Sequence, residues 1–235
     1  MSLTGYTISF YFISYLLFFA LLWLSKGKRG NRLLDKNGPV SNRGLLIGLH
    51  IGGIILFGVV PFLSNNSPSP LFGKSLETMP TGFTVLLIIL LIIIAPQIAK
   101  TKFREILPDP SDNISLGIVF TAAYFFIRIL FICAYESWFR GYLLNDCIII
   151  FSEPLAVLLN VSLYTLLHWV NGKEEVLACI PFGLFLCGLC IWQGAVWPAV
   201  AIHLALTIHY EIICVQKIKK QYENFSNRSI GLHRQ

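Results

Sequence analysis

Apolar runs close to bilayer length recur along the whole of this chain, and that pattern restricts its fold more than any motif does. The runs cover residues 7–24, 45–63, 82–99, 115–135, 138–152, 155–170, 177–193 and 196–215. About 20 apolar residues in a helix cross a hydrocarbon core. The expected fold is therefore all-α, a polytopic membrane helical bundle of seven or eight transmembrane helices. The charged fraction agrees: it is 13%, against about 25% in soluble domains. No polar segment is long enough to bury a core of its own.

The charges that remain are placed for topology. The net charge of +6 is gathered in short loops and the C-terminal segment, where it faces anionic lipid rather than nucleic acid. Lys26, Lys28, Arg29, Arg32, Lys36 and Arg43 make loop 26–43 cytoplasmic, as do Lys100, Lys102 and Arg104 for their turn. Loop 64–80 carries only Lys74 and reads as external. Lys217, Lys219, Lys220 and Arg228 place the C-terminus in the cytoplasm. Residues 1–6 lack the positive charge that precedes a cleaved signal, so 7–24 is read as a retained anchor. One difficulty remains. Five candidate spans follow Arg104, yet both ends of that stretch look cytoplasmic, so one segment fails to span or two form one bent unit. The interruption is expected near 141–154, where Asp146, Glu153 and Pro154 break the apolar run. Trp192 and Trp197 mark an interfacial belt.

Polar residues inside apolar helices come next, because an ionisable group there costs about 2.5–3.5 kcal/mol on insertion scales and is a functional hypothesis by default. Glu136 and Arg140 are four apart and share a helix face, so each offsets the other's charge. Tyr164 and His168 share another face. His203, Thr207 and Glu211 form a stripe, with His209 turned away from it. Three helices thus carry polar groups that can meet only in a water-accessible cavity. A carboxylate beside an imidazole activates water, and a second imidazole with a hydroxyl neighbour donates to a developing oxyanion. Arg128 needs an acid partner or must snorkel. Glu175 is a candidate for the cavity mouth, and His50 reads as packing. The six cysteines all lie in apolar segments, so disulfides between polar loops are excluded, and Cys187-x-x-Cys190 reads as packing. Ser137 and Ser162 have no base at a predictable spacing, which argues against a covalent nucleophile.

Order and spacing resemble the CAAX-protease and bacteriocin-processing (Abi) family of intramembrane endopeptidases. The carrying residues are Tyr135-Glu136-Ser-Trp-Phe139-Arg140-Gly141, Tyr164-x-x-x-His168 and His203-x-x-x-Thr207. Lys173, Glu175, Gly183 and Gly194-Ala-Val-Trp197-Pro198 lie between the second and third. The likeness covers roughly residues 110–215. It implies a catalytic core over 111–215, preceded by family-variable transmembrane helices over 1–110. The basic composition of 216–235 reads instead as a flexible cytoplasmic tail near anionic lipid. The likeness also implies that Glu136 and His168 activate water, that His203 serves the oxyanion with Thr207 in the family's asparagine position, and that Arg140 holds the carboxylate. Tyr135 stands where the family has its first glutamate. A similar branch has Tyr-Glu-x-x-x-Arg-Gly with a late acidic residue, here Glu211, which would replace the lost carboxylate.

No cofactor is expected. Two histidines and a glutamate can bind zinc, but the His-Glu-x-x-His spacing is absent, which leaves zinc a minor alternative. The implied partner is a membrane-associated peptide or protein within the lipid bilayer, and the short soluble parts fit a bacterial inner membrane. Two rivals stay open: a catalytically inactive membrane scaffold or regulator, favoured by Tyr135 and Thr207, and a small transporter, weakened by the lack of internal repeats.

Overall fold

A computed structural model describes residues 5–26, 28, 32–35, 38–64, 82–105 and 116–232. The loop at 64–80 that reads as external falls almost wholly outside them. Seven helices follow one another: α1 (Gly5–Ser25), α2 (Arg43–Ser64), α3 (Gly82–Glu105), α4 (Ile118–Ile150), α5 (Glu153–Asn171), α6 (Lys173–Gln193) and α7 (Trp197–Leu232). Five of them are long and apolar enough to cross a membrane, while α1 and α3 hold shorter apolar stretches, Ser9–Ser25 and Gly82–Gln97. The protein is an integral membrane helical bundle. Its large exposed side chains are accordingly apolar, Phe12, Leu24, Phe62, Leu86 and Ile118 among them.

The two candidate spans at 115–135 and 138–152 are one helix. α4 runs unbroken through them, widening into a π-helical stretch over Ser137–Leu143. Four helices therefore follow Arg104, and an even number removes the conflict between the two basic ends. The break lies just beyond, where Phe151 is extended (φ −119°, ψ −176°). α5 then starts with Glu153 in its first turn and Pro154, which has no N–H to leave unsatisfied and a φ preset for a helix. A second π-helical stretch, Ile55–Val59 in α2, comes just before Pro61. A proline there removes one helical hydrogen bond and crowds the preceding turn, which the wider turn relieves.

The N-terminal helices share the core of the later ones. Tyr11, Tyr15 and Phe18 of α1 pack in one cluster with Phe57, Tyr135, Trp138 and Tyr164. The Tyr11 hydroxyl donates to Asp146 at 2.7 Å, and the Tyr15 hydroxyl donates to the Leu163 carbonyl at 2.9 Å. α2 lies along α4, α5 along α6, and α3 chiefly along α7. Between α1 and α2 the strands β1 (Leu34–Asp35) and β2 (Gly38–Pro39) pair antiparallel. Leu33 and Val40 beside them are buried with Leu46, Cys214 and Ile218. The stretch read from its composition as a flexible tail after residue 215 continues α7 through Leu232.

Candidate active site

The widened turn of α4 builds the first half of the site. π-helical turns recur at functional sites and leave carbonyls without their usual partners. Here the Phe139 carbonyl accepts from the Asn160 side chain of α5 at 2.5 Å, and the Cys187 thiol of α6 donates to Asn160 Oδ1 at 3.3 Å. Cys187 thus has a packing and bonding role. Glu136 immediately precedes this stretch and Arg140 lies within it, both wholly buried, with Arg140 Nε 3.4 Å from Glu136 Oε2. The guanidinium also lies 4.4 Å from the centre of the Tyr164 ring. Its two Nη nitrogens have no hydrogen-bond partner among the described residues. The other Glu136 oxygen meets His203 Nδ1 at 2.5 Å.

The second half is a reversal between α5 and α6. After Leu167 the chain tightens into a 3₁₀ turn, His168–Asn171, and Gly172 turns it at φ 108°, a conformation costly for any residue with a Cβ. The first turn of α6 then carries Glu175 back onto the turn. His168 Nδ1 lies 2.7 Å from Glu175 Oε1, and Asn171 Nδ2 donates to the same oxygen at 2.9 Å. Arg32, which precedes β1, forms an ion pair with Oε2. Close helix packing supports this corner: a Cβ on Gly183 would stand 3.2 Å from Tyr164 Cδ1.

Both histidines line one cavity of about 470 Å³, together with Arg32, Tyr135, Tyr164, Glu175, Thr207 and Glu211. Phe18, Leu49, Phe131, Ile132, Phe182 and Leu206 make much of the wall apolar. Tyr135 and Tyr164 stand between the two imidazoles, their ring centres 5.8 Å apart, with Tyr135 6.2 Å from His203 and Tyr164 5.0 Å from His168. The buried Tyr135 hydroxyl has no hydrogen-bond partner among the described residues. The stripe read along α7 faces the cavity as its periodicity requires, since His203, Thr207 and Glu211 line it and His209 does not.

Glu136 therefore pairs with His203, whereas the implied pairing was with His168. A side chain at 136 reaches the cavity only through His203, because Glu136 has no exposed surface. Glu211 is committed elsewhere. It receives Tyr124 Oη at 2.9 Å and Arg128 Nε at 3.1 Å, which supplies the acid that Arg128 needs. His50 completes that network, its Nδ1 donating to the Leu46 carbonyl at 2.7 Å and its Nε2 facing Arg128 Nη1 at 3.0 Å. Sequence reasoning missed Arg32, Asn171, Tyr124 and Asn160. Arg32 carried only a topological signal, and nothing local separated it from its basic neighbours. No group of three His, Cys, Asp or Glu side chains gathers among the described residues; each histidine meets a single carboxylate, short of a tetrahedral zinc set.

Residues 117–208 match the family described as type II CAAX prenyl endopeptidase Rce1-like. The match spans less than half of the chain and marks a likeness of this segment to that family. It takes in α4, α5 and α6 and the start of α7, and so contains Tyr135, Glu136, Arg140, Tyr164, His168, Glu175, His203 and Thr207. No curated protein and no solved structure matches the chain. Arg32, Glu211 and the α1 residues that pin the core lie outside the Rce1-like segment, so the site as folded draws on more of the chain than the family match covers.

Proposed function

We propose that the protein is an intramembrane endopeptidase that hydrolyses a peptide bond with water activated by histidine and glutamate. One observation carries the reading: two histidines from different helices, each with its Nδ1 on a glutamate, face the same cavity. With Nδ1 so held, Nε2 is the nitrogen left to act. Nothing among the described residues pairs with Nε2 of either ring. The family match supports a peptide substrate, and a prenylated C-terminal peptide is the one its description names.

The two imidazoles suit different halves of the reaction. Water lies between His168 and the scissile carbonyl. Its oxygen bonds to the carbonyl carbon as one O–H bond breaks, and that proton goes to His168 Nε2. The carbonyl electron pair moves to oxygen. His203 sits against Glu136 with Arg140 behind it, and when it carries a proton on both ring nitrogens its Nε2–H donates to the oxyanion. Thr207, one turn on, offers a hydroxyl. Collapse breaks the C–N bond, the proton on His168 passes to the leaving amine, and a carboxylic acid and an amine result. Arg32 and Glu175 cancel in charge, as do Arg128 and Glu211, so the wall favours an uncharged, apolar peptide segment.

The test is cleavage of a quenched-fluorescent peptide library, prenylated and unprenylated, by full-length protein in nanodiscs. Turnover that survives a chelator and is lost in His168→Ala is expected. A well-folded wild type that cleaves nothing overturns the reading in favour of a scaffold, with Tyr135 in the glutamate position as the reason.

A further inference from the structure

The loss of the first motif-one glutamate to Tyr135 leaves the cavity without the carboxylate that the resemblance assigns to water activation. Two carboxylates line that cavity among the described residues, Glu175 and Glu211. Glu211 Oε1 is held by Arg128 and its Oε2 by Tyr124. It has no histidine partner among the described residues, and both its oxygens are already engaged. Glu175 is different. Its Oε1 meets His168 Nδ1 directly and also accepts from Asn171, while Arg32 pairs with its Oε2.

We infer that Glu175 is the positioning residue for His168, and that Arg32 and Asn171 hold its carboxylate in place from a loop and a 3₁₀ turn. This rests on the peptidase reading. An ionised carboxylate accepts and cannot donate, so it selects the imidazole tautomer with hydrogen on Nδ1 and leaves Nε2 as the acceptor. A base oriented by a third group in this way is the logic of the Ser-His-Asp arrangement, applied here to water. The lost carboxylate is thereby replaced from another helix and in another role: it faces the histidine and not the water. The charged and titratable groups around His168 are Glu175 and Arg32, with Tyr164 against the ring. Arg32 pairs with the second oxygen of Glu175 and gives the loop before β1 a part in the site. A substitution there acts through Glu175.

Full-length protein with ¹⁵N-labelled histidine rings, in nanodiscs, tests this on two readouts. His168 is assigned among the five histidines by its loss in His168→Gln. Its spectrum is expected to show the Nδ1–H form in the wild type and to lose it in Glu175→Gln, whose amide can donate to Nδ1. On a cleaved peptide, Glu175→Gln is expected to lower kcat by about 10²–10⁴-fold, the range for general-base catalysis and for an orienting carboxylate turned to amide, with KM within about twofold. Glu175→Asp, which keeps the charge and guards against a folding defect, is expected to retain the Nδ1–H form with a smaller loss in kcat. Turnover in Glu175→Gln within about twofold of wild type overturns the Glu175 assignment and leaves the peptidase reading intact. So does an Nε2–H signal for His168 in the wild type. Absence of any wild-type turnover overturns the peptidase reading instead, and the spectra still decide whether Glu175 holds the ring.

Discussion

The site contains two glutamate–histidine pairs that look alike on paper and differ in every physical respect. Glu136 and His203 come from the middle of two long helices, and the carboxylate is sealed, with 0% of its side chain exposed. Glu175 and His168 sit at a helix reversal seven residues apart, each with 22% of its side chain exposed. The sealed pair is braced by Arg140 on the same helix, the open one by Arg32 from a distant loop. A buried ion pair is weak evidence of net stability, yet breaking it leaves an uncompensated charge. An open pair costs little to lose and can exchange protons with water. The first pair is sealed from solvent on its carboxylate side, and the second is open to it on both sides.

The largest expected effect separates the two on activity. His168→Ala removes the proton acceptor proposed above and is expected to lower kcat by about 10²–10⁴-fold while the thermal midpoint in detergent holds. A loss of turnover that merely tracks unfolding would erase the functional side of the comparison. Stability gives the reverse contrast. Arg140→Leu strands Glu136 in the core and is expected to cost about 3–5 kcal/mol, read by denaturant titration in mixed micelles. Arg32→Gln removes the brace of the partly exposed pair and is expected to cost under about 1 kcal/mol. Equal losses would mean that both pairs are structural.

The same contrast explains what the sequence disclosed. Glu136 and Arg140 stood out because charge inside an apolar run is costly, and their spacing announced a shared face. The stripe of His203, Thr207 and Glu211 was legible for the same reason, since helical period alone decides which side of α7 meets the cavity. The helix count was less readable at α4, where Asp146 suggests an end but its carboxylate accepts a hydrogen bond from the Tyr11 hydroxyl. Pairing was not legible. Whether Glu136 meets His168 or His203 depends on how α4, α5 and α7 lie against one another, and the π-helical turn that sets the direction of Glu136 has no local sequence mark. Arg32 was the least visible, because its partner lies 143 residues away.

Packing around Tyr164 gives an effect of intermediate size. Gly183→Ala places a methyl 3.2 Å from the Tyr164 ring, where the ring is fixed beneath the Arg140 guanidinium and cannot move freely. Overpacking of this kind costs about 1–3 kcal/mol. Because Tyr164 touches both Arg140 and His168, the substitution is expected to lower stability and kcat together. A drop in stability alone would show that the open pair does not depend on the packing behind the sealed one.

The smallest effect concerns Tyr135, the residue that separates the two imidazoles. Its hydroxyl is buried with no hydrogen-bond partner among the described residues, and an unsatisfied buried hydroxyl is a cost to the folded state. Tyr135→Phe keeps the ring contacts to Tyr164, Phe139 and His203 and removes only the oxygen. It is expected to raise stability by up to about 1 kcal/mol in the empty protein, measured as a shift in denaturation midpoint. If the hydroxyl instead meets the peptide or its attacking water, the same variant loses part of that gain in bound peptide and raises KM, while the fold stays the more stable one. A lower midpoint in Tyr135→Phe would show that the hydroxyl already bridges the two pairs through water. The sealed and open halves would then titrate as one network, not as two.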